Sequence, residues 1–332
     1  MKTVTHFDLS TYLSFRMGPI IDTVFIIEKD QEIEDIFHLY PNASILGGGT
    51  NTLVGKEKAQ DVWLINQMMG WQMESETVQG VRIRIQSGQN MDAFIQWSVE
   101  NGYQGMESLS GIPGSLGGAA MMNAGAYGHE LKDVIESVQV YDRFTHQIKI
   151  FSKAELGMGY RTSIFQQDPQ RWFIQSVVVS LIKGSKQALV QKRAEIVDQR
   201  AHRIPNLQRY PSCGSFFRNV IIAKSQAIQL QKQFPTLKMF DLPADHIKIS
   251  TGSILKTLWP KGFHFQGVRM YPDSPLILIN EGATMDSVSC AIQTILEKVY
   301  AHTKIQLEPE VRLMGIPLGK RSIFRYDEST RR

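Results

Sequence analysis

The chain has 332 residues, 42% of them hydrophobic and 20% charged, with a formal charge of +4. That length holds two or three domains, and the composition excludes wholesale disorder. No apolar run approaches the roughly 20 residues of a membrane span. The start, Met1-Lys2-Thr3-Val4-Thr5-His6-Phe7-Asp8, lacks a signal-peptide hydrophobic region, so a cytoplasmic protein is expected. Its basic residues are too dispersed for a nucleic-acid surface. Two cysteines, Cys213 and Cys290, give neither a disulfide framework nor a zinc-type spacing, and no metal site is expected.

In residues 1–70, positions 24–27 read as a buried strand. Asp30 is placed to cap a helix whose apolar residues Ile33, Ile36, Phe37 and Tyr40 recur at helical spacing. Strands follow at 44–46 and 62–65, on either side of Gly47-Gly48-Gly49-Thr50-Asn51 and an extended Thr52-Leu53-Val54. In residues 71–185, positions 81–85 alternate as a half-buried strand, and Asn90 is placed to cap a helix burying Phe94 and Trp97. A second glycine-rich stretch runs from Gly111 through Gly118 to Asn123-Ala124-Gly125-Ala126-Tyr127-Gly128. Positions 138–141 and 148–151 read as a hairpin. Ser152-Lys153-Ala154-Glu155 has the capping-box pattern for a short helix, and 173–182 is a β-branched strand. In residues 186–332, a charged helix at 187–202 leads to a turn at Ser215 and a helix at 225–233. A strand follows at 276–279, then a helix from Thr284 that buries Val288, Ile292, Ile295 and Val299. A last strand over 305–311 sets Glu308, Glu310 and Arg312 on one face and Leu307 and Val311 on the other.

The glycine loops are the chemical signal. Clustered glycine suits positive φ or close approach of a ligand, and unpaired backbone N–H groups in such turns bind anions. Two such loops suit a large phosphate-bearing cofactor, and a dinucleotide fits; tight turns are the plain alternative. Neither loop has the G-x-G-x-x-G fingerprint between a strand and a helix, and no P-loop lysine follows.

Five ordered segments carry a resemblance. They are Ser14-Phe15-Arg16-Met17-Gly18, the glycine loops, Gly159-Tyr160-Arg161-Thr162-Ser163-Ile164-Phe165, Tyr210-Pro211-Ser212-Cys213-Gly214-Ser215-Phe216-Phe217-Arg218-Asn219, and Leu307-Glu308-Pro309-Glu310-Val311-Arg312. Spanning nearly the whole chain, they resemble the UDP-N-acetylenolpyruvoylglucosamine reductases of peptidoglycan precursor synthesis. The resemblance implies an α+β architecture of the vanillyl-alcohol-oxidase (PCMH) type. Two FAD-binding subdomains (1–70 and 71–185) precede a C-terminal substrate-binding domain (186–332), whose final strand near 305–315 returns to the FAD domain. It also implies non-covalent FAD, NADPH as co-substrate and a UDP-sugar substrate; with the composition giving no nucleic-acid or membrane partner, a monomer is expected.

The implied roles fall on matching positions. FAD would lie against Gly47, Gly48, Gly49, Thr50 and Asn51, against Ser110, Gly111, Ile112, Pro113, Gly114 and Gly117, and against Asn123 and Gly125. The catalytic positions are Arg161, Ser215 and Glu310. A guanidinium at 161 suits a substrate carboxylate, and Ser215 is the implied proton donor. Glu310 would hydrogen-bond to an enolic intermediate if burial kept it protonated; an ion pair with Arg312 is the alternative. Tyr127, Tyr160, Asn219, Lys248 and Lys261 are the implied substrate contacts. The match departs at Arg218 and Val220, where lysine and proline are usual. A flavin oxidase of the same fold is the competing reading, with His129 as the one nearby candidate for a covalent tether.

Overall fold

The computed structural model describes residues 1–316 and 318. Strand alternation early in the chain resolves into a four-stranded sheet, built from β1 (Lys2–Asp8), β2 (Ile20–Ile27), β3 (Ser44–Leu46) and β5 (Val62–Asn66) in the order β1-β2-β5-β3. Its inner pairs, β2 with β5 and β3 with β5, are parallel. Helix α1 (Gln31–Leu39) covers it by burying Ile33, Ile36 and Phe37. Asp30 does not cap α1. Its own backbone is helical (φ −57°, ψ −36°), which turns the side chain away from the first N–H groups. Its carboxylate accepts from Gln175 instead, and Glu32 receives the N–H groups of Glu28 and Lys29. Tyr40 lies past the end of α1 and is exposed.

Beyond β4 (Thr52–Val54) the second unit is an antiparallel sheet, β12-β11-β13-β7-β6, with the two-residue β8 (Tyr103–Gln104) also on β13. Its strands are β6 (Trp71–Glu76), β7 (Gly80–Gln86), β11 (Ile135–Asp142), β12 (Gln147–Ser152) and β13 (Trp172–Lys183). Helix α2 (Met91–Glu100) is capped by Asn90, whose side chain accepts from Ala93 N, and it buries Phe94 fully but Trp97 only in part. Helix α3 (Leu116–Met122) starts at Ser115 and ends with Asn123 in left-handed geometry. The minor pair β9 (Gly125–Ala126) and β10 (His129–Glu130) follows it. The Ser152 capping pattern makes one of its two hydrogen bonds, Ser152 N to Glu155 Oε2, while Ser152 Oγ donates to the same oxygen instead of accepting from Glu155 N, and no helix grows from it. Gly157 enters the left-handed region at φ +53°, which ends any helical run. The short helix α4 (Ile164–Gln167) instead forms after Arg161.

Helix α5 (Lys186–Ala201) packs on α2 and leads to the third unit. There β14 (Ser212–Ser215), β20 (Ser274–Asn280), β19 (Val268–Tyr271) and β18 (His264–Phe265) form one sheet, and β15 (Val220–Ala223), β17 (His246–Ile249) and β16 (Met239–Leu242) form another. Helices α6 (Lys224–Gln233), α7 (Thr251–Leu258) and α8 (Met285–Thr303) complete it, α8 burying Val288, Ile292, Ile295 and Val299. No strand spans 305–311. Only β21 (Arg312–Met314) forms, and it pairs in parallel with β4. Leu307 and Val311 are buried and Glu308 is exposed, but Glu310 and Arg312 are partly buried, so the expected solvated face is reduced to Glu308 because the segment runs between the two units rather than along a sheet edge. The cores interlock: Phe15 and Leu53 pack in the C-terminal cluster, and Tyr141 and Phe173 join Phe25, Phe37 and Leu64 in the first. Each fully buried side chain of this size contributes roughly 1.5–3 kcal/mol.

Candidate active site

The two glycine loops meet. A Cβ at Gly48 would stand 2.8 Å from Gly114 Cα, one at Gly47 would stand 2.5 Å from Ser115 Oγ, and Gly114, at φ +117°, faces Thr50 Oγ1. Thr50 Oγ1 donates to Pro113 O at 3.3 Å, and Tyr12 fixes the first loop from behind by donating its hydroxyl to Gly47 O at 3.0 Å. The N–H groups of Gly48, Gly49, Thr50, Gly114 and Ser115 have no acceptor among the described residues. Unpaired donors on two backbones too close for side chains form an anion cradle. That arrangement fits the pyrophosphate of a dinucleotide. Gly117 abuts Ser87, and Gly111 N donates to Asp92 Oδ1 at 2.6 Å. Ser110 and Ile112 donate back within their own turn.

Asn123 and Gly125 lead from the second loop to Arg161. Arg161 Nη2 donates to Gly125 O at 2.6 Å, Nη1 approaches Asn123 O at 3.5 Å, and Nε donates to Glu310 Oε1 at 2.8 Å. Arg161 thus pairs with Glu310, and the expected alternative of a Glu310–Arg312 pair does not form. Both side chains are half-buried, at 18% exposure each. A guanidinium has five donors, so one N–H on each terminal nitrogen remains for a ligand. The Arg161 backbone is left-handed, at φ +53°, a conformation that costs a non-glycine residue on the order of 1–2 kcal/mol. Gln166, which the sequence did not single out, holds it there. Gln166 Nε2 donates to Arg161 O at 2.9 Å and to Met121 O at 2.8 Å, while its Oε1 accepts from Arg218 Nη2 at 3.1 Å.

Ser215 reaches this corner through the backbone. The pairing of β14 with β20 slips between Ser212 and Ser215, and Gly214 takes φ +71°, so a bulge turns Ser215 outward. Ser212 and Cys213 before it, and Phe216 and Phe217 after it, are buried, whereas Ser215 is exposed and its Oγ has no hydrogen bond among the described residues. Glu310 N donates to Phe216 O at 2.8 Å, Phe217 bridges Pro309, and Asn51 Nδ2 donates to Glu310 O at 3.1 Å. Arg161, Glu310, the Ser215 corner and the first glycine loop therefore converge from four distant parts of the chain. Cys213 lies behind the site. Burial pushes its thiol up to about 12, so it is no nucleophile.

Three of the expected substrate contacts gather beside Arg161. Tyr160 accepts from Asn219 N at 3.3 Å, Asn219 Oδ1 accepts from Thr251 N, and Lys248 Nζ stands 6.0 Å from the Tyr160 ring centroid and 5.6 Å from that of Phe240. Burial, then the nearby Glu310 charge, raises the Tyr160 pKa. Tyr127 lies elsewhere, beside Arg200 of α5. Lys261 sits in the exposed turn after α7, and no contact joins it to the cluster among the described residues. Nor do the described residues hold a group of three His, Cys, Asp or Glu able to bind a metal, or a helix long and apolar enough to cross a membrane.

An FAD-binding domain family model matches residues 21–148, the part holding both glycine loops. Fold, cradle and match together define an FAD-dependent oxidoreductase. The model of the UDP-N-acetylenolpyruvoylglucosamine reductase C-terminal domain matches residues 205–314. The reductase of that name from Pseudomonas aeruginosa is 32% identical over 81% of this chain and 85% of its own length. That from Aliivibrio fischeri is 30% identical over 94% and 95%. The chain belongs to the UDP-N-acetylenolpyruvoylglucosamine reductase family. Its fold is that of the Thermus caldophilus UDP-N-acetylenolpyruvylglucosamine reductase (MurB) crystal structure, with a TM-score of 0.68 at 21% identity, covering 94% of this chain and 98% of that one.

Proposed function

We propose that this reductase converts UDP-N-acetylglucosamine enolpyruvate to UDP-N-acetylmuramate, a step of peptidoglycan precursor synthesis, with NADPH as the reductant. The observation that carries the reading is the half-buried Arg161–Glu310 pair, whose Glu310 N–H is bonded to Phe216 O next to the exposed Ser215. When bound in the glycine cradle, FAD supplies the hydride that adds to one carbon of the vinyl ether. The two uncommitted N–H groups of Arg161 take the substrate carboxylate and meet the negative charge that grows on it. Glu310 fixes the guanidinium plane by holding Nε. Ser215 gives its proton to the second vinyl carbon, completing the addition of one hydride and one proton across the double bond. Tyr160, Asn219 and Lys248 hold the UDP-sugar, with Lys248 a mobile charge for its diphosphate.

Anaerobic rapid-mixing absorbance tests this. NADPH should bleach the bound flavin, and the enolpyruvyl sugar should restore its colour. In Ser215→Ala the bleaching should keep its rate, while recovery slows by about 10²–10⁴-fold, the usual worth of a general acid. Equal slowing of both halves would make Ser215 a residue that shapes the pocket. No colour recovery in the parent protein would overturn the substrate assignment.

A further inference from the structure

Asn123 stands between the second glycine loop and Arg161, and it is wholly buried. It ends α3 in left-handed geometry, at φ 42° and ψ 62°, a conformation that asparagine adopts more readily than most residues with a Cβ. Both hydrogens of its side-chain amide are spent within the protein. Nδ2 donates to Gly159 O at 2.8 Å and to Glu130 Oε2 at 3.0 Å, and Oδ1 accepts from Lys132 N at 3.0 Å. No donor of this side chain is left for a cofactor.

What the amide grips is the turn that carries Arg161. Gly159 and Thr162 exchange two backbone hydrogen bonds, each of 3.2 Å, closing a turn over Tyr160 and Arg161. Arg161 holds φ +53° there, where glycine or asparagine would be the unstrained choice. Asn123 Nδ2 gives the Gly159 carbonyl a second donor beside Thr162 N. The backbone of Asn123 serves the other end of the same side chain. Its carbonyl O lies 3.5 Å from Arg161 Nη1, and two residues on, Gly125 O accepts from Nη2 at 2.6 Å. Glu130 closes the frame, since it pairs with Gly125 across β9 and β10 while its carboxylate holds the Asn123 amide. One residue thus fixes both the backbone from which the guanidinium hangs and the carbonyls against which it lies.

We infer that Asn123 is a positioning residue for substrate reduction, aiming the Arg161 guanidinium without itself touching the substrate. The inference rests on the reading that Arg161 takes the substrate carboxylate. Glycine at this position would keep the left-handed backbone and lose the grip on Gly159 and Glu130. Aspartate would keep the shape but set a carboxylate against the Glu130 carboxylate and the Gly159 carbonyl.

Holoenzyme, Asn123→Gly and Asn123→Asp are compared in three measurements: bound flavin per chain, bleaching by NADPH, and colour recovery with the enolpyruvyl sugar. Both variants should hold FAD and bleach at the parental rate. Recovery in Asn123→Gly should slow by about 10- to 100-fold through kcat, the scale of loss when a catalytic group is misplaced. Recovery in Asn123→Asp should be slow near pH 9, and its deficit against the parent should narrow toward about pH 5. Two carboxyls so close do not both stay charged at low cost, and the first proton taken up restores a donor. The other charges facing this position, Lys132, Asp133 and Arg161, are common to parent and variant and cancel in the comparison. Parental recovery in Asn123→Gly would overturn the inference. So would lost flavin or equal slowing of bleaching and recovery, which would make Asn123 a prop of the glycine loop. A deficit in Asn123→Asp that is the same at every pH would overturn it too, and that result alone decides if Asn123→Gly does not fold. A parent protein whose colour the sugar does not restore would overturn the substrate reading itself, a separate result.

Discussion

At the scale of single residues, the same side-chain types diverge through their surroundings. Cys213 is buried with its Sγ donating to Thr52 O, whereas Cys290 lies exposed on α8. With the thiol of Cys213 pushed up to about 12, almost no thiolate exists near pH 8. Iodoacetamide should therefore label Cys290 alone in the folded protein and both cysteines in denaturant, as counted by mass spectrometry. Gln166 offers a sharper test. Its amide ties the strained Arg161 backbone to the end of α3 and to Arg218. Gln166→Glu keeps the size but removes both N–H donors and sets a carboxylate beside two carbonyl oxygens. We expect kcat for substrate reduction to fall by about tenfold or more, since small misplacements of a catalytic group are costly. Flavin reduction by NADPH should be unchanged. An unaltered kcat would show that the Gly159–Thr162 bridge holds Arg161 without it.

At the scale of elements, the glycine loops act as a pair. Gly48 is needed because the Gly114 backbone passes against it, which is a tertiary reason for a glycine. A valine there must push the loops apart and separate the donors of the first loop from those of the second. Gly48→Val should thus retain a cooperative melting transition and lose its flavin, measured as absorbance per chain after purification. Unchanged flavin content would place the cofactor elsewhere. The pattern of Ser152 to Glu155 gives the opposite lesson. The Glu155 half of its capping box forms, but Gly157 and the demands of Gly159 to Thr162 end the helix before it starts. Asp30 likewise has the side chain of a cap but gives its oxygen to Gln175 of β13, 145 residues away.

At the scale of the whole molecule, the junctions between sheets are polar and buried. The Arg143 guanidinium lies over Phe37 and donates to Pro41 O and Ala43 O, fastening the β11–β12 turn to the first sheet. Next to it, the wholly buried Asp142 accepts from Arg171, Lys149 and Phe144 N. Burial by itself would raise this carboxyl, but these donors together hold it well below the usual carboxylate range. A carboxyl lowered in this way stabilises the fold at pH values above its unfolded pKa, near 4. That contribution is lost as the pH falls through the folded value. Asp142→Asn should cost roughly 1.5–3 kcal/mol at pH 7, measured by urea unfolding, with the gap to the parent narrowing below about pH 4. A gap that stays constant down to pH 3 would mean that packing, not charge, makes Asp142 important.

The sequence by itself determined the elements whose pattern is local: the spacing of α1 and α8, the Asn90 cap, the β11–β12 hairpin, and the family, because five short motifs survive as linear text. It also marked Arg161, Ser215 and Glu310 as residue types suited to one chemistry. Only the tertiary structure decided that Arg161 and Glu310 share an ion pair across 149 residues, that a bulge at Gly214 turns Ser215 outward, and that the two glycine loops touch. Tyr12 and Gln166 carried no linear signal, since what distinguishes each is the group it meets. Pattern along a chain reports what neighbours in sequence can satisfy among themselves. A buried donor, a strained φ or an uncompensated charge is defined by what is absent around it, and that is known only once the chain has closed.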